Sequence, residues 1–196
     1  MIVLADGIYS TVYAEDNSVY KKYKLDSVYL QAASEMFACE IEIMEALKDL
    51  PYVPVVLDHS RKFCKMTLMP GSTLDDCNIY LLKDNAQNIL DALESFAWLV
   101  YDRGYLINDV HLGNILIDYK KGISFIDFNS YISVDNQAEV ISLHHSFKHC
   151  EEGYSGTRRA AEEFIKLQLC YVKTQILNRL KERGMHVELF FEWEAG

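Results

Sequence analysis

The sequence predicts an α+β fold with a β-rich first part and a mostly helical second part. Up to about residue 69, short runs of β-branched and aromatic residues alternate with turn residues, interrupted by one helical segment. Beyond Pro70 and Gly71, apolar residues recur at helical spacing over two long segments. A chain of 196 residues is long enough for one sizeable domain. We therefore expect a single domain over residues 1–196, with an N-lobe at 1–68 and a C-lobe at 69–196.

The N-lobe is predicted to contain five strands and one helix. The first three strands fall at residues 2–5, 11–14 and 19–23, where β-forming residues are separated by turn residues. The pattern then changes to a helical period over residues 27–50, and Pro51 and Pro54 end this helix. Its apolar face is formed by Met36, Cys39, Ile43 and Leu47. Two further strands are predicted at 53–57 and 63–69.

The C-lobe is predicted to be built around two long helices. The first covers residues 85–103 and is followed by Gly104, a favourable residue just beyond a helix C-terminus. Two short β segments follow at 115–117 and 123–126. The second helix covers residues 157–183, and the apolar residues expected on one side of it are Phe164, Leu167, Tyr171, Leu177 and Leu180. The tail at 187–193 is expected to pack on the body of the protein.

Composition and charge exclude several classes of protein. The five cysteines are scattered without a CxxC pair, which disfavours a disulfide scaffold or a zinc site and indicates a reducing compartment. The first residues lack the basic region of a signal peptide, and no apolar run approaches the length of a membrane span. We therefore expect a soluble, cytoplasmic protein without a membrane span. The formal charge of −10 makes a nucleic-acid partner improbable, because a polyanion is repelled.

The most informative motif joins three polar side chains around a predicted β hairpin. Asp109 lies five residues before Asn114, and Asp127 follows the second strand of the hairpin. Phosphoryl transfer uses these residue types, because one carboxylate orients the attacking hydroxyl while an amide oxygen and a second carboxylate hold Mg²⁺ against the phosphates. These three residues therefore fit phosphoryl transfer, and the resemblance to the protein-kinase superfamily, described next, implies Asp109 as the catalytic residue and Asn114 and Asp127 as the metal ligands. The competing interpretation is a polar turn followed by a solvated carboxylate.

At these residues the chain resembles the protein-kinase superfamily. The resemblance implies a lysine on the third strand that binds the α- and β-phosphates of ATP, and Lys21 fits that position. Lys22 should point to the opposite face of the strand. The family pairs this lysine with a glutamate on the next helix. Glu40 is preferred over Glu42 because apolar residues follow it three and four positions later.

The resemblance also implies a nucleotide-binding loop and a hinge. The positions of the family's glycines are taken here by Ala5, Gly7 and Ser10, so the glycine loop is degraded. Val12 would cover the adenine. The hinge is expected at 66–69, where Met66 lies nearest the gatekeeper position and backbone groups around Leu68 would bind the adenine edge. Gly7, Ser10, Val12, Lys21, Met66 and Leu68 are thus the predicted nucleotide-binding residues, and ATP and Mg²⁺ the implied cofactors.

Several departures from the protein-kinase pattern affect the C-lobe. Ile107 and Asn108 replace the His-Arg pair that usually precedes the catalytic Asp, and Asn129 replaces the glycine of the Asp-Phe-Gly triplet. The Ala-Pro-Glu motif is missing, since every proline lies at or before residue 70. Only 69 residues follow Asp127 in the sequence. We therefore expect a truncated bilobal protein-kinase-like fold with a small α-helical C-lobe.

Within the superfamily, the chain resembles the short effector kinases of bacterial type III secretion, the OspG and NleH group. The segments that carry this likeness are Tyr20-Lys21-Lys22-Tyr23-x-Leu25 and Met69-Pro70-Gly71-x-x-Leu74. It implies a protein substrate, release into a host cytosol, and an activating partner such as a ubiquitin-conjugating enzyme carrying ubiquitin. The expected flexible leader of an exported effector is not seen before the first predicted strand.

The loop Asp109-x-His111-x-Gly113-Asn114 also looks like that of aminoglycoside phosphotransferases and lipopolysaccharide-core kinases. His111 stands where protein kinases usually have lysine, or it is a loop histidine bonded to a neighbour. Three functions therefore remain open. The first is a serine/threonine protein kinase, the second a small-molecule or glycan kinase, and the third a pseudokinase that serves as a binding module.

Overall fold

The computed structural model describes residues 2–24, 30–134 and 158–191. Within these ranges it contains ten strands and three helices in an α+β arrangement that matches the predicted fold class. The predicted division into lobes falls between the fifth strand and the sixth. The described residues do not include Leu25, Cys150 or the ends of some predicted elements. None of the described helices has the length and apolar character that a membrane span requires.

The N-lobe is an antiparallel sheet of five strands with one helix packed on it. The strand order is β1-β2-β3-β5-β4, so the third strand lies in the centre. The strands are β1 (Ile2–Asp6), β2 (Ser10–Glu15), β3 (Ser18–Tyr23), β4 (Val56–Ser60) and β5 (Phe63–Thr67). Helix α1 (Leu30–Leu47) connects β3 to β4 and buries Ile43, Met44 and Leu47 completely. These side chains form the N-lobe part of one continuous core.

The C-lobe is built on two long helices, α2 (Ile79–Tyr101) and α3 (Arg158–Glu182), that pack against each other. The C-lobe also contains a small sheet with the order β6-β8-β9, in which β6 is Ser72–Thr73, β8 is Ile115–Asp118 and β9 is Gly122–Phe125. A second pair joins β7 (Tyr105–Leu106) to β10 (Ile132–Ser133). The turn before β8 is a short 3₁₀ helix, Leu112–Asn114.

An aromatic contact holds the β8–β9 hairpin on helix α2. The ring of Phe96 stacks on that of Phe125 with a centroid distance of 4.0 Å and an angle of 7°. Phe128 is fully buried, and its ring lies tilted against that of Phe96 with the centroids 6.5 Å apart. Offset or tilted aromatic pairs in a core add to the stabilisation from burial. Because Phe125 and Phe128 flank Asp127, these contacts fix the position of that carboxylate.

Helix α1 is attached to the C-lobe at its C-terminal half. The guanidinium of Arg103 donates bonds of 2.7 and 2.8 Å to the two carboxylate oxygens of Asp49, and another of 2.8 Å to the carbonyl of Ala46. One turn earlier, the Tyr105 hydroxyl donates a 2.8 Å bond to Glu42. A bidentate pair restricts orientation as well as distance. The bonds to Glu42 and Ala46 join α1 itself to the segment that follows α2, and the bonds to Asp49 join the turn just after α1 to the same segment.

Several predicted boundaries need correction. The strand predicted at 53–57 lies at Val56–Ser60, and the one predicted at 63–69 ends at Thr67. Helix α1 ends at Leu47 rather than at 50, and residues 27–29 of the prediction lie outside the described part of the chain. Helix α2 begins at Ile79 instead of 85, because the Asn78 side chain accepts a bond from the Tyr80 N–H and caps it.

The predicted apolar face of the last helix is wrong in part. Phe164 and Leu180 are buried and Leu177 is partly buried, but Leu167 and Tyr171 are 38% and 53% exposed. The residues of α3 that do face the core are Ala161, Phe164, Ile165, Gln168, Leu169, Val172, Ile176 and Leu180. One of them, Gln168, is polar. The tail packs on the body through Leu189 and Phe191, and its predicted residues 192–193 lie outside the described ranges.

Candidate active site

The site begins with a buried ion pair between the third strand and helix α1. Side chains alternate along a strand, so Lys21 points into the protein while Lys22 is exposed. Lys21 Nζ lies 2.8 Å from Glu40 Oε1, and the two residues are only 6% and 1% exposed. Glu42, the competing glutamate, instead accepts the bond from Tyr105. The structure thus places Glu40 against Lys21.

A third charged group from the C-lobe joins this pair. Lys21 Nζ also lies 2.6 Å from Asp127 Oδ1, although the two residues are separated by 106 positions in the sequence. Burial alone would lower the pKa of the Lys21 ammonium, but the Glu40 and Asp127 carboxylates outweigh burial and hold that pKa above its usual value. The ammonium therefore stays protonated over the physiological range.

A tyrosine that the sequence analysis missed completes the environment of Glu40. The Tyr23 hydroxyl donates a 2.6 Å hydrogen bond to Glu40 Oε2, the oxygen that Lys21 does not contact. Burial raises the pKa of Tyr23, and the Glu40 carboxylate raises it further, so the hydroxyl remains a donor. Tyr23 lies two residues after Lys21 on the strand, and this same-face spacing is the signal that could have revealed it.

Two of the predicted carboxylates lie on strained backbone. Asp109 has φ of 54° and Asp127 has φ of 64°, both in the left-handed region. Non-glycine residues in this region are uncommon, although Asp tolerates it better than most, and such strain is concentrated at functional sites. Asn114 lies close by and its Nδ2 donates a 3.3 Å bond to the Asp109 backbone carbonyl. This bond leaves the Asn114 amide oxygen available.

The donor set fits a magnesium ion bound together with phosphates. Asn114 and Asp127 line the same cleft, and the Asp127 side chain is 38% exposed. Mg²⁺ is usually held by one or two protein oxygens together with phosphate oxygens and water. Among the described residues there is no group of three or more His, Cys, Asp or Glu side chains that could hold a metal alone. With their two side-chain oxygens, Asn114 and Asp127 would hold Mg²⁺ together with phosphate oxygens of a nucleotide.

The cleft between the lobes contains a cavity of about 530 Å³. Its lining includes every residue that the sequence predicts for nucleotide binding, namely Gly7, Ser10, Val12, Lys21, Met66 and Leu68. Val12 and Val19 from the N-lobe face Leu116 from the C-lobe across this space. Such apolar walls suit a flat aromatic base. The ion-paired Lys21 lies at the polar end with Asp127, so the cleft has an apolar part and a charged part.

Asp109 lies beside a second cavity of about 500 Å³. The residues that line it are Asn108, Asp109, Ser130, Leu167, Gln168 and Tyr171. Three of these come from helix α3, which the sequence resemblance did not reach. Asp109 and Asn114 are five residues apart, so the loop between them joins this cavity to the nucleotide-sized cleft.

The remaining loop residues have local partners. His111 Nδ1 accepts a 3.1 Å bond from the Gly113 backbone N–H and caps the 3₁₀ helix, which favours the interpretation of a loop histidine bonded to a neighbour. Asn129 accepts a 2.9 Å bond from the Ser130 hydroxyl. The backbone N–H of Leu112 donates a 3.2 Å bond to Gln175 on α3. Helix α3 therefore supports the loop that carries Asp109.

The bilobal α+β fold and the cleft between the lobes define a domain of the protein-kinase-like class. Within that class, the chain belongs to the ABC1 atypical kinase-like domain family, whose model matches residues 24–154. A comparison with curated protein sequences gives no match.

Solved structures with a similar fold include several of WbdD. The chain is similar to WbdD in complex with the kinase inhibitor LY294002, with a TM-score of 0.54, 16% identity and coverage of 83% of this chain and 44% of WbdD. A structure described as the bifunctional kinase-methyltransferase WbdD gives a TM-score of 0.54, 15% identity and coverage of 82% and 42%. The chain thus spans less than half the length of WbdD. The narrower likeness to the OspG and NleH group stays a prediction.

Proposed function

We propose that the chain transfers the γ-phosphoryl group of ATP to a hydroxyl acceptor in a Mg²⁺-dependent reaction. The observation that carries this proposal is the contact of Lys21 with both Glu40 and Asp127 at the charged end of the cleft. The lysine is held by a buried carboxylate on one side and lies beside a candidate metal ligand on the other. This is the arrangement that phosphate binding requires, and a purely structural ion pair has no need of the adjoining cavity.

Each residue has one task in the proposed reaction. Lys21 binds the α- and β-phosphates and Glu40 holds its ammonium in place. Asn114 and Asp127 would hold Mg²⁺, which would neutralise phosphate charge. Asp109 orients the acceptor hydroxyl and accepts its proton. The acceptor oxygen bonds to the γ-phosphorus as the bond to the bridging oxygen breaks, so ADP leaves with the electron pair.

Two classes of acceptor are consistent with this chemistry. A protein serine or threonine is the first, with the negative net charge favouring a basic protein surface, and a ubiquitin-conjugating enzyme carrying ubiquitin as a candidate activating partner. A small hydroxylated molecule is the second. The observation that favours the second is the cavity beside Asp109, because its size falls in the range of small-molecule sites.

Calorimetric titration tests the nucleotide-binding part of this proposal. The wild-type chain should bind ATP more tightly with Mg²⁺ than without it, and Asp127→Asn should remove most of that difference. Asp118→Asn is the matched control, because the Asp118 carboxylate accepts bonds from the backbone of Lys120 and Lys121 in the hairpin turn. If the wild-type chain releases no heat with Mg·ATP, the proposed function is wrong. Binding without transfer to any acceptor would indicate a pseudokinase.

A further inference from the structure

A polar residue interrupts the apolar stripe of helix α3. The core-facing residues of this helix follow a helical period, and every one of them is apolar except Gln168. A polar residue at a core position costs stability unless its amide is satisfied. Positions where a sequence breaks its own local pattern are often functional.

The Gln168 amide is buried and has no hydrogen-bond partner among the described residues. Gln168 is only 8% exposed, yet neither its amide oxygen nor its amide nitrogen bonds to another described group. Gln175, two helical turns later, shows the alternative, because its amide oxygen accepts the Leu112 N–H. An unsatisfied buried amide in a native protein calls for a specific explanation. Gln168 lines the cavity beside Asp109, so a ligand in that cavity can satisfy it.

The walls of the cavity indicate the chemistry of this ligand. Leu167 and the ring of Tyr171 supply apolar surface on one side. Around them lie the amides of Asn108 and Gln168 and the hydroxyl of Ser130, whose proton is donated to Asn129 so that its oxygen can accept a bond. No lysine, arginine or histidine is among the described residues that line it, and the Asp109 carboxylate repels anions. Asp109 is the one charged side chain among the described lining residues, and the acceptor hydroxyl occupies it in the proposed reaction, so none is left to pair with a cationic group. The cavity therefore suits a neutral molecule with several hydroxyl groups and an apolar face.

We propose that this cavity is the acceptor site, that the acceptor is a small neutral polyol such as a sugar or cyclitol, and that Gln168 selects it. This inference rests on the proposed phosphotransferase function and names its acceptor. The Gln168 amide bonds to ligand hydroxyls that do not react, while the reacting hydroxyl lies against Asp109. The bonds formed and broken are those of the proposed reaction, with the proton going to Asp109 and ADP leaving.

The test measures transfer of labelled phosphate from Mg·ATP to defined acceptors. The neutral acceptors are D-glucose, D-mannose and myo-inositol, and the comparison acceptors are glucose 6-phosphate, kanamycin and histone. We expect labelled phosphate in at least one of the neutral polyols and little in the three comparison acceptors. Gln168→Met keeps the volume of the side chain and removes its hydrogen-bonding groups, so the KM for the polyol should rise about tenfold or more. The KM for ATP should not change.

Asn178→Met is the control, since it makes a similar change at an exposed position of the same helix. The inference is overturned if Gln168→Met leaves the polyol KM unchanged, or if histone, kanamycin or glucose 6-phosphate is the preferred acceptor. It is also overturned if no neutral polyol is labelled while calorimetry shows Mg·ATP binding, an outcome that leaves nucleotide binding intact. Failure to bind Mg·ATP would instead overturn the proposed function itself.

Discussion

Tyr23 and Lys21 hold the two oxygens of one carboxylate from the same face of one strand. The Tyr23 hydroxyl lies 2.6 Å from Glu40 Oε2, and the Lys21 ammonium lies 2.8 Å from Glu40 Oε1. Glu40 is only 1% exposed, so solvent offers it little compensation. A carboxylate held at both oxygens cannot rotate freely. We therefore regard Tyr23 as the positioning residue for the Lys21–Glu40 pair.

Replacing Tyr23 by phenylalanine should weaken both stability and nucleotide binding. Tyr23→Phe removes one donor and leaves Glu40 Oε2 buried without it, which costs about 1–3 kcal/mol. The free energy of unfolding should fall by that amount in urea denaturation. The KM for ATP should rise because Glu40, and with it Lys21, is less well oriented.

Tyr13→Phe is the control for this substitution. Tyr13 lies on the neighbouring strand β2, is half-buried, and makes no contact with Glu40 among the described bonds. Tyr13→Phe should leave the free energy of unfolding and the KM for ATP near their wild-type values. If Tyr23→Phe behaves like Tyr13→Phe in both, the positioning role is disproved.

Asp109→Asn should separate catalysis from nucleotide binding. Asp109 lines the second cavity but is not among the residues that line the nucleotide-sized cleft. Loss of the carboxylate that accepts the proton should reduce kcat by about 10²–10⁴-fold while ATP affinity is retained. Steady-state kinetics and calorimetry on the same preparation measure the two quantities. Full turnover by Asp109→Asn would show that another group accepts the proton.

Much of this site could be predicted from the sequence because the spacing of Asp109, Asn114 and Asp127 and the alternation around Lys21 are local patterns. The contact between Lys21 and Asp127 spans 106 residues, and no local pattern in the sequence predicts it. Gln168 was missed because the predicted apolar face of α3 was rotated toward Leu167 and Tyr171. Periodicity places a stripe on a helix, but only tertiary packing decides which side faces the core.

Gly71 should be less tolerant of alanine than Gly104, although both have positive φ. A Cβ at Gly71, where φ is 104°, would lie 2.3 Å from the carbonyl oxygen of Ile117. At Gly104, with φ of 86°, a Cβ would meet nothing within 4 Å. Gly104→Ala should therefore lower the free energy of unfolding only through backbone strain, by roughly 1 kcal/mol. Gly71→Ala adds a clash with the β8 backbone and should lose clearly more stability in urea denaturation. Equal losses would contradict the close approach of these segments.

Cys64 should resist alkylation in the folded protein. Its side chain is fully buried, and burial together with the Glu40 carboxylate raises the pKa of the thiol to about 12. An ordinary thiol has a pKa of about 8.5 and is half ionised at pH 8.5. Iodoacetamide at pH 8.5, followed by peptide mass spectrometry, should modify Cys64 only after the protein is unfolded in urea. Rapid modification of the native protein would contradict the raised pKa.

The raised pKa of the Cys64 thiol also predicts how the stability of the protein depends on pH. The unfolded chain ionises Cys64 above pH 8.5, whereas the folded protein keeps it protonated until about pH 12. Tyr23 and Tyr131 have raised pKa values for the same main reason, which is burial. A group whose pKa is higher in the folded protein than in the unfolded chain stabilises the fold at pH values below the unfolded pKa. That stabilisation is lost as the pH rises above the unfolded pKa, because the unfolded chain then releases the proton more readily. The free energy of unfolding should therefore decrease above pH 8.5, and an increase there would contradict this assignment.

Activity should not depend on phosphorylation after Asp127. Asn108 carries no charge with which to bind a loop phosphate. Tyr131 is 5% exposed and therefore closed to a kinase, and the Ser130 hydroxyl is bonded to Asn129. Phosphatase-treated and untreated protein should have the same kcat, with intact mass spectrometry confirming removal of phosphate. A drop of about tenfold on treatment, with ATP affinity unchanged, would show that a phosphate does switch the enzyme.

The attachment of α1 to the C-lobe has a consequence for inhibitors. Some ligands bind a cleft of this kind only after its helix has moved outward and opened an extra space. Here such a movement would have to break the bidentate contact of Arg103 with Asp49, the Tyr105–Glu42 bond and the buried Lys21–Glu40 pair together. Compounds that need the outward helix should bind this protein poorly. Compounds shaped like the nucleotide itself are the better starting points for a chemical probe.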